Sequence, residues 1–171
     1  ARPSMGKTAF AMMLEQSAFM GGDPVFMASL EMPATQLMMR HVSRLSGLSL
    51  NNVRNVKNIE EHDQPRVYKA LKDLASKPYY IDDTGGQTPE GLRNAVIEAD
   101  AKAKEQHGKG LSMVVIDYLQ LMTLKRSAES RTREIEIISG ELKRLAKDLN
   151  IPVVALSQLN RSLESRPSKI P

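Results

Sequence analysis

Cysteine is absent from the 171-residue sequence, which excludes disulfide bonds and thiolate metal sites. Long apolar stretches are absent as well, because no run approaches the roughly 20 residues that a membrane-spanning helix requires. No signal peptide, internal repeat or low-complexity tract is recognisable. Together these absences argue against a membrane protein and predict a cytoplasmic one.

The composition is that of an ordinary globular chain, with 41% hydrophobic and 26% charged residues. A chain of 171 residues has room for one domain with a core of useful size. The net charge of +4 and the pI near 9.4 permit a polyanionic partner.

The opening octet, ARPSMGKT, matches the phosphate-binding loop pattern [AG]-x₄-G-K-[ST]. Gly6 lets backbone N–H groups close on phosphate oxygens, Lys7 places a charge on the β and γ phosphates, and Thr8 offers a hydroxyl to Mg²⁺. A chance match in a strand-to-helix turn is the alternative interpretation. The other residues of the predicted phosphate site are Arg2, Pro3, Ser4 and Met5.

Such a loop lies between a strand and a helix, yet no residue precedes Ala1, and the chain stops at Pro171 in a polar run. We therefore expect residues 1–171 to be one partial domain, truncated at both ends.

Short apolar runs alternate with amphipathic segments along the chain, which predicts an α/β fold with a mostly parallel sheet flanked by helices. The predicted strands are 24–30, 79–82, 111–117 and 151–157, the last read as a buried strand. The predicted helices are 8–20, 33–46, 50–55, a segment from about 65 that carries Val67, Leu71 and Leu74, 89–106 and 135–149. Residues 122–133 read as a charged loop.

Ligands of open α/β sheets bind at the carboxyl ends of the strands. Asp117 ends such a strand and is a candidate Mg²⁺ ligand opposite Thr8, or a loop-capping residue. Asp82 competes for the same role. The strand before Asp117 is more uniformly aliphatic, as a central strand should be, whereas Tyr79 and Tyr80 suit a place nearer the edge.

In many ATPases with a phosphate-binding loop, the general base directly follows the metal-binding aspartate. Here Tyr118 follows Asp117, so a general base must come from another position. Glu31, at the end of the strand after the phosphate-loop helix, is the candidate base, unless it caps the helix entered at Pro33. Gln158 ends the last strand and could sense the γ-phosphate or bond loop backbone.

Four motifs, ARPSMGKT, SLEMP (29–33), VVIDYLQLM (114–122) and PVVALSQLNR (152–161), together resemble the ATPase domain of the DnaB family of replicative helicases. The resemblance implies a RecA-like core in a ring-shaped homohexamer that hydrolyses Mg-ATP to move along single-stranded DNA and separate duplex. It implies that Lys7 and Thr8 bind phosphate and Mg²⁺, that Glu31 is the catalytic carboxylate, and that Gln158 is the γ-phosphate sensor. It also favours Asp117 over Asp82 as the metal-side aspartate.

The family pattern continues past Pro171 with a further DNA-binding loop, later strands and an arginine finger. A finger is worth about 10³- to 10⁵-fold in turnover, so we expect these 171 residues alone to hydrolyse ATP feebly. Primase and a helicase loader are further partners that the resemblance implies.

A basic segment (124–133) follows the Asp117 strand, and its cations suit contacts to the phosphates of single-stranded DNA. The segment lacks aromatic residues, so base stacking is not its expected mode. A solvated loop or a subunit contact is the alternative. Its cations, set against Glu129 alone, are Lys125, Arg126, Arg131 and Arg133.

Two other functions compete with the helicase interpretation. One is a RecA- or RadA-like recombination ATPase, which would form filaments. The other is a nucleotide-gated assembly module without hydrolysis, although a module that only binds nucleotide has no need of Glu31.

Overall fold

The structure is a computed structural model that describes residues 6–125 and 128–158. Its centre is a parallel four-stranded sheet in the order β2-β1-β3-β4. The strands are β1 (Val25–Ser29), β2 (Tyr79–Asp82), β3 (Met113–Asp117) and β4 (Val153–Ala155). The helices are α1 (Lys7–Met20), α2 (Ala34–Ser46), α3 (Leu50–Arg54), α4 (Gln64–Ala75), α5 (Pro89–His107) and α6 (Arg131–Leu149). The predicted parallel α/β fold is confirmed.

The two central strands carry apolar side chains on both faces, because helices cover the sheet from both sides. All five residues of β1 are buried. Phe26 and Ala28 share a core with α5 and α6, whereas Met27 packs with Ala11 of α1 and Leu37 of α2 on the opposite face.

Two helices begin at residues of the types that commonly cap helices, Ser49 and Thr88. The Ser49 side chain accepts a hydrogen bond from Asn52 N–H (3.2 Å), and the Thr88 side chain accepts one from Gly91 N–H (3.1 Å). Pro89 then begins α5, where its missing N–H costs nothing. These local signals place the starts of two helices correctly.

Three expectations need correction. The structure assigns only Val153–Ala155 to β4, and Ala155 is exposed, because β4 has one neighbour in the described sheet. The prediction of a buried last strand is therefore wrong. Leu71 is exposed, and Ala70 takes its place on the buried face of α4. The charged loop ends at Ser130, whose side chain accepts a hydrogen bond from Arg133 N–H, so the last residues of the predicted loop form the first turn of α6.

No helix within residues 6–125 and 128–158 is both long and apolar enough to cross a membrane.

Candidate active site

The chain enters α1 through Gly6, whose φ of +77° lies in the left-handed region. Glycine adopts this conformation without the steric penalty that a Cβ brings. The Gly6 carbonyl accepts a hydrogen bond from Phe10 N–H (2.8 Å), which starts the helix. Residues 1–5 lie outside the described part of the chain, so the phosphate-site roles of Arg2, Pro3, Ser4 and Met5 stay predictions.

Lys7 and Thr8 both contact Asp117, which is 109 residues from Thr8 in sequence. The Thr8 hydroxyl donates to Asp117 Oδ2 over 2.6 Å, and Lys7 Nζ lies 3.0 Å from Oδ1. Asp117 is only 2% exposed. The structure thus brings the predicted phosphate lysine and both predicted metal ligands to one point, at the carboxyl end of β3.

Tyr118 completes the surroundings of Lys7. Lys7 Nζ lies 3.9 Å from the centroid of the Tyr118 ring, within the range of a cation–π interaction. The peptide bond between Asp117 and Tyr118 is cis. Lys7 is therefore held between a buried carboxylate and an aromatic face, and sequence spacing carried no signal for the second partner.

The rival carboxylate, Asp82, is occupied by local structure. Its Oδ1 accepts a hydrogen bond from Thr84 N–H (2.9 Å), and its Oδ2 accepts one from the Gln87 side-chain amide (2.6 Å). Both oxygens of Asp82 thus order the turn after β2. Asp83 accepts from Ala34 N–H (2.8 Å) and so satisfies a free donor at the start of α2.

Glu31 lies at the same edge of the sheet as Asp117, two residues after Ser29. Ser29 is opposite Asp117 in the β1–β3 register, and Leu30 N–H donates to the Asp117 carbonyl over 2.8 Å. The buried Ser29 hydroxyl donates to the Met32 carbonyl (2.6 Å) and closes the turn that carries Glu31. Glu31 is exposed, and its carboxylate makes no hydrogen bond or ion pair with any described residue. It is not a cap for α2.

Gln158 follows β4 at this edge, and its backbone is fixed by the side chain of Gln120. The Gln120 amide donates to the Gln158 carbonyl (2.9 Å), and the Gln120 Oε1 accepts from Gln158 N–H (3.2 Å). The Gln158 side chain makes no hydrogen bond with described residues. Gln120 had no sequence signal, since nothing in the spacing relates positions 120 and 158.

Each described cation of the basic segment has an acidic partner on a helix. Lys125 pairs with Glu90 of α5, while Arg131 and Arg133 pair with Glu134 and Glu136 of α6. The segment is therefore less positive than a count against Glu129 alone suggested. Arg126 lies outside the described residues.

The oxygen donors at Asp117 fit Mg²⁺. Magnesium prefers oxygen ligands and is bound by one or two protein groups together with substrate phosphates and water. Asp117 Oδ1 is buried and has no hydrogen-bond partner among the described residues, although Lys7 Nζ lies 3.0 Å away. Within the described ranges, no group of three or more His, Cys, Asp or Glu side chains could hold a metal. A site built from Thr8, Asp117 and phosphate oxygens needs no such group.

The family model described as the DnaB-like helicase C terminal domain matches residues 1–171. The chain belongs to this family. The resemblance carried by the four motifs is thereby confirmed, and the family match favours the helicase over the recombination ATPase.

Curated relatives of this DnaB-like domain cover all of it. The replicative DNA helicase DnaB of Pasteurella multocida is 46% identical, and this chain spans 36% of its length. The replicative DNA helicase DnaC of Bacillus subtilis is 41% identical, with 37% of its length spanned.

Two solved structures have the same fold as the DnaB-like domain. One is an ATPase domain with a TM-score of 0.87 and 31% identity, and the match covers 99% of this chain and 59% of that domain. The other is a DnaB-like replicative helicase described with its primase interactions. It also has a TM-score of 0.87 and 31% identity, over 99% of this chain and 40% of its own. The RecA-like interpretation of the fold is confirmed.

Proposed function

We propose that this domain is the ATP-hydrolysing motor of a replicative DNA helicase, which couples Mg-ATP hydrolysis to movement along single-stranded DNA and to duplex unwinding. One observation carries the proposal: Lys7 and Thr8 at the start of α1 meet the buried Asp117 at the end of β3. A lysine, a hydroxyl and a carboxylate at a helix N-terminus suit a nucleoside triphosphate with a divalent cation.

Each residue of the site has a role in nucleotide binding that follows from its chemistry. Lys7 moves from Asp117 to the β and γ phosphates, where its charge is needed during phosphoryl transfer. Thr8 and Asp117 hold Mg²⁺, which neutralises charge on the phosphates when bound. Arg2, Pro3, Ser4, Met5 and Gly6 complete the loop around the phosphates.

Glu31 orients the attacking water and accepts its proton. Support comes from its carboxylate, which has no partner among residues 6–125 and 128–158 and lies one residue beyond the hydrogen bond between Leu30 and Asp117. A general base must lie within hydrogen-bond reach of the proton that it abstracts, and the carboxyl edge of the sheet is where the γ-phosphate would lie. Gln158, at the same edge, contacts the γ-phosphate with its side-chain amide, which no other described residue engages, and so senses whether the phosphate is still attached.

The same proposal includes single-stranded DNA and protein partners. Lys125, Arg126, Arg131 and Arg133 contact the phosphates of single-stranded DNA. The domain works in a homohexameric ring, in which a neighbour supplies the arginine finger. One solved relative is described with its interactions with primase, and we extend primase, together with a helicase loader, to this protein as partners.

The test compares three variants of the full-length protein. Lys7→Ala should abolish ATP hydrolysis and unwinding, because the phosphates lose their charged partner. Glu31→Gln should still bind ATP but hydrolyse it about 10²- to 10⁴-fold more slowly, the usual contribution of a general base. Asp82→Asn is the matched control and should hydrolyse ATP near the parent rate, since Asp82 serves the turn.

Unwinding by the Lys7→Ala variant would refute the motor function. Parent-like hydrolysis by Glu31→Gln would instead revive the assembly module, and loss of hydrolysis in Asp82→Asn alone would return the metal site to Asp82.

A further inference from the structure

Tyr118 has no part in the proposed chemistry, yet within the described part of the chain its ring and Asp117 are the two groups in contact with the Lys7 ammonium. The Lys7 ammonium lies 3.9 Å from the ring centroid and 3.0 Å from Asp117 Oδ1. The Lys7 side chain is only 12% exposed. An ammonium that is largely removed from water gains more from an aromatic face than an exposed one does.

The proposed function requires Lys7 to exchange its carboxylate partner. If Asp117 and Thr8 held Mg²⁺, the Asp117 carboxylate would be less available to Lys7, whose charge would then be free for the phosphates. Among the described residues in contact with Lys7, Tyr118 is the partner that carries no such competing role. The ring attracts the ammonium through its quadrupole, without a negative charge that would compete with phosphate.

We propose that Tyr118 is the positioning residue for Lys7, which holds the ammonium at the site while its charged partner changes from Asp117 to the nucleotide phosphates. The inference rests on the proposed function.

The test measures nucleotide binding in the full-length protein. Tyr118→Leu removes the aromatic face and should weaken ADP binding, measured with Mg²⁺ present, by about 2- to 30-fold, the range of one cation–π interaction. Tyr118→Phe keeps the face and should bind ADP within about twofold of the parent. Tyr68→Leu removes a tyrosine that is 78% exposed on α4, and is the control for the loss of a tyrosine as such.

A double-mutant cycle separates positioning from packing. In the Lys7→Ala background, Tyr118→Leu should cause no further loss of ADP affinity, because its partner is already gone. Thermal melting checks that each variant folds. Tyr118→Met, which is unbranched and lacks the ring, replaces the leucine variant if that one unfolds.

The outcomes separate this inference from the proposed function. If Lys7→Ala impairs nucleotide binding but Tyr118→Leu and Tyr118→Met do not, the positioning role is overturned and the motor function stands. Equal losses in Tyr118→Phe and Tyr118→Leu would also overturn it, since the face would not matter. If Lys7→Ala leaves both nucleotide binding and hydrolysis intact, the motor function itself fails.

Discussion

At the scale of single residues, the most deeply buried polar contacts lie away from the nucleotide site. Glu15 of α1 and His41 of α2 are fully buried, with His41 Nε2 3.1 Å from Glu15 Oε1. The Tyr79 hydroxyl, at the start of β2, donates to the same oxygen over 3.0 Å. Three elements that lie far apart in sequence are thus joined through one carboxylate oxygen.

This contact predicts a specific alkaline response. Burial raises the pKa of Tyr79 well above its ordinary value of 10.0, and the negative charge of Glu15 raises the pKa further. The unfolded chain therefore releases the Tyr79 proton first, so stability is complete below about pH 10 and falls above it. In Tyr79→Phe the free energy of unfolding should fall less steeply above pH 10, by up to about 1.4 kcal/mol per pH unit.

Urea unfolding at several pH values measures the slope. Tyr68→Phe, at an exposed position, is the control and should keep the parent slope. Identical alkaline slopes for Tyr79→Phe and the parent would contradict the role assigned to the buried hydroxyl.

Residue types at fixed spacing predicted Lys7, Thr8 and Asp117 because the chemistry of phosphate and Mg²⁺ demands them. The same reasoning missed Gln120, Asp83 and the partnership of Tyr118 with Lys7. Each of these contacts joins residues that only the folded sheet brings together, so no local pattern marks them.

At the scale of elements, the ends of the helices depend on local residue patterns that can be recognised in the sequence. The apolar residues of α6 recur at spacings of three and four, and Ile138, Leu142 and Leu145 are buried as that period requires. The start of the same helix was less visible, because the charged residues before Ile135 resemble a loop. Ser130 caps the helix, so α6 begins at Arg131.

Two glycines, one inside a helix and one at a helix end, should respond to alanine in opposite directions. Gly140 lies inside α6 with open space where a Cβ would be, so Gly140→Ala should stabilise the protein by about 0.5–1 kcal/mol. Gly108 ends α5 with φ +68°, so Gly108→Ala should destabilise it by about 1 kcal/mol, although space is open there too.

Urea unfolding of Gly140→Ala, Gly108→Ala and the parent protein measures the change in the free energy of unfolding that each substitution causes. A stabilising Gly108→Ala would show that the left-handed conformation does not limit this helix end.

At the scale of the whole molecule, the sequence predicted parallel strands, because helical connections between strands imply a parallel sheet. It also placed the aliphatic Asp117 strand in the centre and Tyr79 and Tyr80 nearer the edge, and the order β2-β1-β3-β4 confirms both placements. The pairing of β1 with β3, which brings the end of the Glu31 strand next to Asp117, was not predictable from local patterns.

The proposed phosphate contacts of the basic segment predict how DNA binding depends on salt. If Lys125, Arg131 and Arg133 each contact one phosphate, replacing all three by Gln should lower the slope of log affinity against log salt by about 2, since one single-strand contact contributes about 0.7. The measurement is fluorescence anisotropy of labelled single-stranded DNA at several salt concentrations.

The control replaces three lysines of similar exposure near the amino-terminal edge of the sheet, and it should leave the slope unchanged. Its residues are Lys102, Lys104 and Lys109. Equal reductions in both variants would mean that net charge alone governs binding, with no dedicated DNA path.

The side-chain amide of Gln120 bonds to a backbone in the way that a neighbouring β-strand would. It offers a donor and an acceptor to the backbone of Gln158, while the Gln120 carbonyl accepts from Arg131 at the first turn of α6. The same amide also donates to the Ser157 hydroxyl over 2.8 Å, so the segment after the last strand cannot shift without moving this amide or losing these bonds. The side chain and the backbone carbonyl of Gln120 thus place the end of the last strand and Arg131 on one residue.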